Sequence, residues 1–373
     1  MPMPIGLESS PTTARFADRV SEWEDSFGMA FAMDYGDPEA EYAALRENVV
    51  ALEWSTIRKW YIEGPDAVAA LDAAFSRNVA AAPVGRVLYG VVVDADGLMI
   101  EDVTAVKLSD EQVLVFGGDP LTEARLRSAA PAGTSVVDRR AEIAVASLQG
   151  PRSRDLLQRL TSADVSGSGL PYYETLTGVE VAGVPATLLR LGFTAELGFE
   201  IMVARENADA LWDAILGQQD LDVVMMGMTG ILVARIEAGM VIGGLEYDRT
   251  VSPFECGLGW TVDFGKEELW ARTPLAEAKA NSSRRLVSIV SEAPVAQLDG
   301  AALVVDGAEV GRVTAATASP ALGGRSLGLA RVERPFNAIG TRLSIVSDGA
   351  ATSDDAEVLR TPVYDPERSR VKA

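Results

Sequence analysis

The chain has 373 residues, of which 48% are apolar, and its formal net charge is −21. This length predicts two or three globular domains, and the acidic charge argues against binding of nucleic acid and against docking on anionic lipid. The sequence contains no histidine and one cysteine, Cys256, which excludes histidine-based catalysis and makes a metal site unexpected. Chemistry must come from other ionisable side chains or from an organic cofactor.

The sequence also carries no targeting or membrane signal. No apolar run approaches the ~18 residues that a membrane helix needs, and the start lacks the basic and apolar segments of a secretory signal. We therefore expect a cytoplasmic protein that acts away from membranes. The sequence predicts no particular oligomeric state.

The first third of the chain predicts a mixture of helices and strands after a polar start. Residues 1 to about 25 are predicted to be irregular, and Asp66 is a good N-cap for a helix. A strand, a turn at Asp94-Ala-Asp-Gly97 and a second strand predict a hairpin. The predicted elements, in chain order, are a helix over 39–49, strands over 60–63, 87–93, 98–108 and 113–116, and a helix over 119–129.

Asp102 is the first residue that this pattern singles out. Strand alternation places it in one row with Ile100, Thr104 and Val106, and an unpaired carboxylate in an apolar row would cost several kcal/mol if it were buried. We therefore interpret Asp102 as a ligand-facing carboxyl with a raised pKa, although the row could instead lie at an open sheet edge. Glu101 points the other way and is expected to be solvated.

The middle of the chain repeats the order helix, strand, strand, helix, which is typical of ferredoxin-like units. Between two of its strands lies the segment Leu191-Gly-Phe-Thr-Ala-Glu-Leu-Gly-Phe-Glu200. We expect Gly192 and Gly198 to allow a tight turn because glycine tolerates positive φ. The turn delivers Glu196 and Glu200 to the end of a strand, where they would form either a ligand clamp or an ordinary hairpin with solvated glutamates.

The C-terminal part predicts a small all-β domain. Residues 266–280 read as a polar linker, and the short strands that follow are separated by turns rich in Gly, Pro and Asp, as in a barrel or a sandwich. No phosphate-binding glycine loop occurs. Gly324-Arg-Ser-Leu-Gly328 resembles a nucleophile elbow, but it precedes a strand and no histidine could activate its serine, so we interpret it as a turn.

Several segments together resemble the aminomethyltransferase family, which comprises the glycine-cleavage T-protein and its tetrahydrofolate-dependent demethylase relatives. They occur in the family's order and at its spacing, nearly from end to end. The segments are Gly64-Pro65-Asp66-Ala67, Leu88-Tyr89 ahead of Asp102, Leu148-Gln149-Gly150-Pro151, Arg190 to Glu200, Arg235-Ile-Glu-Ala-Gly239, Ser252-Pro253-Phe254-Glu255, Gly257-Leu-Gly-Trp260 and Ser319-Pro320-Ala-Leu-Gly323.

The resemblance implies an α+β fold in which three domains form a cloverleaf around a central tetrahydrofolate. Two of them would be ferredoxin-like α+β units and the third a small C-terminal β-barrel. The implied boundaries are residues 1–50 plus 140–265 for the first, folate-binding domain, 51–139 for the second, and 280–373 for the barrel.

The resemblance also implies roles for individual residues. Glu200 would hydrogen-bond the pterin ring of the cofactor tetrahydrofolate, Tyr89 would lie against the folate, and Asp102 would sit where the one-carbon unit arrives. The full set of expected cofactor-binding residues is Tyr89, Asp102, Phe193, Glu196, Glu200 and Trp260. Arg235 is a weaker candidate, because it is equally well interpreted as one partner of a structural ion pair with a neighbour on its helix.

The chain departs from the family pattern at several positions. The family's histidine is replaced in Glu53-Trp-Ser-Thr56, its turn tyrosine is Phe193, and Ile231 and Gly117 replace an arginine and an asparagine. These changes favour a demethylase that moves a methyl group from an O-, N- or S-methyl small molecule to folate N5. Its proton handlers would be Asp102, Tyr247 and Glu101, with Tyr89 as a further candidate.

Ser55, Arg58 and Lys59 follow the altered segment and are the predicted substrate-binding residues, with the two basic side chains holding a substrate carboxylate. The alternative for the pair is a solvated basic turn. Two alternative functions stay open, namely an aminomethyltransferase that works with a lipoyl carrier protein and a non-enzymatic folate-binding protein. The latter ranks last, because Cys256 lies in a different sequence context from the cysteine of those relatives.

Overall fold

A computed structural model describes residue 3 and residues 6–373. Its strands, numbered in chain order, are β1 (Glu22–Ser26), β2 (Met29–Asp34), β3 (Val50–Glu53), β4 (Arg58–Glu63), β5 (Val87–Val93), β6 (Met99–Lys107), β7 (Gln112–Gly117), β8 (Ser135–Asp138), β9 (Ile143–Gln149), β10 (Thr175–Val181), β11 (Val184–Leu189), β12 (Gly198–Ala204), β13 (Val224–Met225), β14 (Arg284–Ser291), β15 (Ala302–Val305), β16 (Ala308–Ser319), β17 (Arg325–Glu333), β18 (Arg342–Ser347) and β19 (Ala350–Leu359).

The α-helices of the described residues are α1 (Thr13–Phe16), α2 (Pro38–Glu47), α3 (Ala67–Ala74), α4 (Pro120–Ala129), α5 (Ser153–Leu160), α6 (Ala208–Leu216), α7 (Met228–Glu237), α8 (Arg272–Asn281), α9 (Val295–Leu298) and α10 (Ser369–Lys372). None of the helices within the described ranges is both long enough and apolar enough to cross a membrane.

One mixed sheet, one antiparallel sheet and one barrel carry the fold. The first sheet has the strand order β10-β11-β12-β9-β3-β13, and the second has the order β5-β6-β7-β4-β8. The C-terminal strands close into a barrel in the order β14-β17-β16-β15-β18-β19. The predicted α+β fold with a C-terminal β-barrel is therefore confirmed, whereas the division into domains at the particular residues given above stays a prediction.

Each sheet packs helices on one face and the other sheet on its second face. Apolar residues of α5 and α6 join the core on one side of the first sheet, and α3 and α4 do the same for the second sheet. Between the two sheets, Val87 and Val106 pack with Val145, Leu189 and Met202. Strands β6 and β12 are therefore covered on both faces, and side chains of the facing rows point into the space between the sheets.

The polar N-terminal residues are more ordered than the sequence indicated. Within the first 25 residues, which were predicted to be irregular, the chain forms α1 and enters β1, which pairs with β2 as a hairpin. Phe16 and Val20 are buried in the first core. This part of the prediction was wrong because a few apolar residues spaced among polar ones suffice when the sheet and helices of the first core supply the other side of the contact.

The glycines of the 191–200 turn have a different role from the expected one. Neither Gly192 nor Gly198 has positive φ, and it is Ala195 that adopts φ 61. A Cβ at either glycine would lie 2.1 Å from the side-chain oxygen of Gln149. These positions require glycine because the Gln149 side chain passes under the turn, where its oxygen accepts a hydrogen bond from Thr194 at 3.0 Å.

A buried group of charges fixes the turn to the rest of the molecule. We call Arg46, Glu196 and Glu237 the Arg46 cluster. The Arg46 guanidinium lies 3.0 Å from the Glu196 carboxylate and 2.8 Å from the Glu237 carboxylate. Glu237 also accepts hydrogen bonds from the Ser319 hydroxyl at 2.6 Å and the Ala321 amide at 3.1 Å, so the cluster joins α2, the turn, α7 and the barrel.

We expect Arg46→Met to destabilise the protein by about 3–5 kcal/mol, because it leaves two buried carboxylates without their shared partner. The matched control is Arg159→Met, which breaks an exposed ion pair with Asp220 at 2.7 Å and should cost about 1 kcal/mol or less. Urea unfolding followed by tryptophan fluorescence measures both losses. Equal losses in the two variants would contradict the assigned role of the cluster.

Candidate functional site

A cavity of about 1200 Å³ lies where the two sheets, the loops after α7 and the C-terminal segment meet. Its wall includes residues of β5, β6 and β12, the 191–200 turn, the 238–249 and 256–260 loops, and residues 361–371. Among the predicted site residues, it brings together Tyr89, Glu101, Asp102, Phe193, Glu200, Tyr247 and Trp260.

Asp102 projects from β6 into this cavity and is held by two tyrosines. Its carboxylate accepts a hydrogen bond from the Tyr89 hydroxyl at 2.7 Å and another from the Tyr247 hydroxyl. Burial raises the pKa of the Asp102 carboxyl, and the bonds from Tyr247 and Tyr89 partly oppose that rise. The pKa values of both tyrosines are raised, mainly by burial, so both hydroxyls stay protonated and act as donors that orient the carboxylate.

Glu101 is buried, not solvated as expected from its row. Only 8% of the residue is exposed, because the opposite face of β6 packs under the start of α4. Its carboxylate accepts backbone hydrogen bonds from Gly118 at 2.5 Å and Asp119 at 3.2 Å. Burial raises the pKa of the Glu101 carboxyl to about 7. Its part in proton transfer stays a prediction, since these contacts also make it the anchor of the α4 N-terminus.

Glu200 projects into the same cavity from β12. Its row of side chains faces the row of β6 that contains Asp102. It is 5% exposed, and among the described residues its carboxylate has no hydrogen-bond partner. Burial raises the pKa of the Glu200 carboxyl to about 7, and the positive charge of Lys59 partly opposes the rise. A buried carboxylate that lacks protein donors but borders a cavity is placed to accept hydrogen bonds from a ligand.

Glu196 lies four residues earlier on the turn and is not part of the cavity wall. Its carboxylate accepts hydrogen bonds from Arg46 at 3.0 Å, Tyr364 at 2.6 Å and Arg370 at 2.7 Å. All three donors are protein groups, so the structure does not support its expected contact with a cofactor. Glu196 instead clamps the C-terminal segment against the turn, and that segment supplies part of the cavity wall.

The predicted substrate-binding residues lie outside the cavity wall. The buried Lys59 amine donates to the carbonyl oxygens of Ser55 at 2.8 Å and Ile57 at 2.7 Å. Arg58 pairs with Asp138 at 2.7 Å, and the Ser55 hydroxyl accepts from the Val145 amide at 2.9 Å. These protein contacts give no support to the expected role of the three side chains in holding a substrate carboxylate, and that role stays a prediction.

Aromatic side chains form much of the remaining wall. Tyr89 and Trp260 lie with ring centroids 6.0 Å apart, and Trp260 is 56% exposed. Tyr172 and Tyr173, which contact each other edge to face at 4.5 Å, also line the cavity together with Tyr364. The sequence reasoning missed these three tyrosines. The two adjacent tyrosines after Pro171 could have been recognised in the sequence as candidate site residues. Nothing in the neighbouring sequence marks Tyr364 as one.

Two family models match the chain. The GCVT N-terminal domain model matches residues 13–266, and the model of the glycine cleavage T-protein C-terminal barrel domain matches residues 284–365.

Individual relatives and a solved structure extend the comparison. An aminomethyltransferase of Streptomyces avermitilis is 34% identical over 91% of this chain and 93% of its own length. A trimethylamine-oxide aldolase of Ruegeria pomeroyi is 32% identical over 96% of this chain, which spans 47% of that relative. The glycine cleavage system aminomethyltransferase T of Bartonella henselae has the same fold, with a TM-score of 0.84 at 22% identity over 96% of this chain and 98% of that one.

The two glutamates of the turn should have opposite effects on stability. The native pKa of Glu200 lies near 7 against an ordinary 4.5, so the native state holds this proton more tightly than the unfolded chain does. Ionisation of Glu200 therefore costs stability as the pH rises from 4.5 to 7, by up to roughly 3 kcal/mol. Glu200→Gln should stabilise the ligand-free protein at pH 8 and have little effect at pH 4.5.

Glu196→Gln is the matched control, because it changes a second buried glutamate on the same turn. It should destabilise the protein at pH 8, since Arg46 and Arg370 lose a charged partner. Urea unfolding at pH 4.5 and pH 8 compares the two variants. Destabilisation by Glu200→Gln at pH 8 would show that its carboxylate has protein partners after all.

Proposed function

Because this chain belongs to the glycine cleavage T-protein family of aminomethyltransferases, a family of tetrahydrofolate-dependent one-carbon transferases, we propose that it is a tetrahydrofolate-dependent demethylase. It would move a methyl group from an oxygen, nitrogen or sulfur atom of a small molecule to N5 of tetrahydrofolate. The observation that carries the proposal is the pairing of two carboxylates on facing walls of one cavity. Asp102 is held by two tyrosine hydroxyls, and Glu200 has no hydrogen-bond partner among the residues that the structure describes.

The residues present fit a folate. A pterin ring presents several N–H donors, and the partnerless carboxylate of Glu200 is a matching acceptor. Phe193, Tyr89 and Trp260 offer aromatic and apolar surface along the same wall. The cavity volume of about 1200 Å³ exceeds the ~300–1,000 Å³ typical for one drug-sized ligand, so the cavity has room for both a folate and a methyl donor.

The chain itself would contribute orientation and charge. Tetrahydrofolate, when bound, supplies the nucleophilic nitrogen that accepts the methyl group. Holding two reactants in line can supply ~7–11 kcal/mol of the barrier, and the buried walls keep water away from them. An ionised Asp102, fixed by Tyr89 and Tyr247, would stabilise positive charge that develops beside it or take up a proton.

The chemical class of the methyl donor is proposed from the groups that surround Asp102. A negative carboxylate next to the rings of Tyr89 and Trp260 favours a cationic methyl donor, such as an ammonium or sulfonium compound. The relative named trimethylamine-oxide aldolase supports a methylated nitrogen compound as the first class to test. Thr56 lines the cavity at the position where the family pattern has histidine, so the wall differs from the family's on this side.

An aminomethyltransferase that works with a lipoyl carrier protein is the second candidate. It is favoured by the match to the Streptomyces avermitilis aminomethyltransferase along nearly all of both chains. The same assay separates the two functions, because one candidate needs a carrier-bound aminomethyl group and the other a free methylated compound.

We expect calorimetric titration of tetrahydrofolate into the purified protein to show micromolar binding. Glu200→Gln should weaken it at least tenfold, because the amide cannot replace a charged acceptor. Asp102→Asn should change the Kd less than tenfold but lower turnover about 100-fold or more, as the loss of one preorganised electrostatic contact does in other enzymes.

Turnover is measured as formation of 5-methyl-tetrahydrofolate from a panel of methylamines, sulfonium compounds and methyl ethers of aromatic acids. An aminomethylated lipoyl carrier protein serves as the alternative donor. Arg159→Met, on the distant exposed ion pair, is the control for both measurements. Absence of tetrahydrofolate binding in the unmodified protein would refute the proposed function, and turnover with the carrier alone would replace it by the second candidate.

A further inference from the structure

The side of the cavity that contains Thr56 is aromatic and apolar. Phe31 and Trp54 contact each other edge to face, with ring centroids 5.6 Å apart. Trp54 and Ile57 also pack against the apolar cluster between the sheets that contains Phe116. We call this surface the aromatic wall, and its members, all of which line the cavity, are Phe27, Phe31, Trp54, Thr56, Ile57 and Phe116.

Phe27 joins this wall in an unfavourable backbone conformation. It lies at the tip of the β1–β2 hairpin, is 46% exposed and has φ 54, a region that residues with a Cβ rarely adopt. Its ring packs on Gly118, where an added Cβ would lie 2.0 Å from a ring carbon. The Gly118 amide donates to Glu101, the neighbour of Asp102, at 2.5 Å. An exposed ring held in this conformation beside a cavity indicates a role in binding.

A buried arginine holds the hairpin tip in place. Arg140 is 7% exposed, and its guanidinium donates to the carbonyl oxygens of Phe27 at 2.7 Å and Thr56 at 3.5 Å. The carboxylate of Glu8, at 3.2 Å, balances its charge. The tip is thereby fixed to the loop of residues 54–57, which contributes Thr56 to the aromatic wall.

The same loop is held by a second buried cation. The Lys59 amine donates to the carbonyl oxygens of Ser55 at 2.8 Å and Ile57 at 2.7 Å. Together with the contact from Arg140 to Thr56, positive groups therefore bind the carbonyl oxygens of three successive residues. The backbone of the loop is fixed in this way, while three of its side chains line the cavity.

We propose that the aromatic wall binds the methyl-bearing end of the donor, and that Lys59 and Arg140 are positioning residues that fix this wall. The inference rests on the proposed function and deepens it. Methyl groups on nitrogen, sulfur or oxygen carry partial positive charge, which the faces of aromatic rings attract. No side chain of the wall is ionisable, and the Ser26 hydroxyl donates to the Thr56 hydroxyl at 3.2 Å. Recognition at the wall therefore depends on the methyl groups and not on a donor carboxylate.

This role of Lys59 differs from direct contact with a substrate carboxylate, and the two roles predict different results. A positioning lysine affects every donor alike, because its loss displaces the wall that all donors contact. A lysine that pairs with a carboxylate affects only those donors that carry one. Donors matched in their methyl-bearing end, with and without a carboxylate, therefore distinguish the two roles.

Calorimetry on the full chain without tetrahydrofolate, so that no methyl transfer occurs, tests the aromatic wall. The probes are trimethylamine paired with N,N-dimethylglycine, and anisole paired with 4-methoxybenzoate; the second member of each pair adds a carboxylate. The variants are Phe27→Gly, Arg140→Met and Lys59→Met. The control is Arg125→Met, because the Arg125 guanidinium also donates to a carbonyl oxygen, that of Ala73 at 2.7 Å, and neither residue belongs to the cavity wall.

Phe27→Gly and Arg140→Met should weaken binding of both members of each pair about five- to tenfold and leave the Kd of tetrahydrofolate, titrated separately, within twofold. Glycine tolerates the positive φ, so Phe27→Gly should keep the urea midpoint of the unmodified chain, which separates its loss of binding from a loss of folding. Arg125→Met should bind every probe normally.

Lys59→Met should weaken both members of a pair by the same factor. The positive charge of Lys59 also lowers the pKa of Glu200, and comparison within a pair cancels that effect. A loss confined to the carboxylated probes would refute the positioning role of Lys59 and establish a direct contact.

The inference is overturned if Phe27→Gly binds all four probes as tightly as the unmodified protein does, or if the unmodified protein binds none of them. Its failure is distinct from that of the proposed function. Tetrahydrofolate binding without binding of any probe would refute the aromatic wall and leave folate dependence standing. Probe binding that depends on Phe27, in a protein that does not bind tetrahydrofolate, would do the reverse.

Discussion

The buried guanidinium of Arg46 is the constraint on which the site depends. It contacts the carboxylates of Glu196 and Glu237 and donates to the carbonyl oxygen of Thr194 at 2.7 Å. Its Cζ atom lies 3.8 Å from the ring centroid of Tyr364. One positive charge thereby ties helix α2, the 191–200 turn, helix α7 and the C-terminal segment together. Because a buried charge cannot be left unpaired without a large penalty, these four segments hold one another in place.

That arrangement divides the buried carboxylates into two groups. The carboxylates of Glu196 and Glu237 accept several hydrogen bonds from protein side chains and hold segments of the fold together. Within the described part of the chain, the Glu200 carboxylate has no hydrogen-bond donor, whereas the Asp102 carboxylate accepts from two tyrosine hydroxyls and borders the cavity. The same residue type therefore has opposite energetic consequences within four positions of one turn. Where protein donors are missing, burial costs stability, and a ligand that supplies donors can recover it.

The sequence predicted those elements whose signal is local. Alternation along β6 correctly placed Asp102 in the row of Thr104 and Val106, and the hairpin and the barrel strands followed from turn residues. It failed for Ile100, because a register irregularity at this end of β6 packs that side chain against the core of Val103 on the opposite face. The same alternation misled for Glu101, because it assumes one solvated face, whereas both faces of β6 are buried by α4 and by the first sheet. Spacing alone also could not show that Lys59 donates to the carbonyl oxygens of its own neighbours.

Contacts between distant segments lay beyond the sequence. Glu196 meets Tyr364 and Arg370 across more than 160 residues, and nothing near Glu196 in the chain indicates that the C-terminal segment fills its hydrogen-bonding capacity. Arg77 and Arg368 likewise lie far apart in the sequence, yet the positive charges of both act on Tyr173 and lower its pKa. For such residues the resemblance to a family supplied candidates, but it could not say which of two neighbouring glutamates serves the ligand.

The lack of histidine shows how burial can replace a missing residue type. Imidazole is the side chain whose ordinary pKa lies near neutral pH, and this chain has none. Burial instead raises the pKa values of Glu101 and Glu200 to about 7 and lowers that of Lys59 to about 8. Groups that change charge near neutral pH are thus present at or beside the cavity. Their pKa values are shifted because both faces of the two sheets are covered, Glu101 by the start of α4 and Glu200 by the facing sheet.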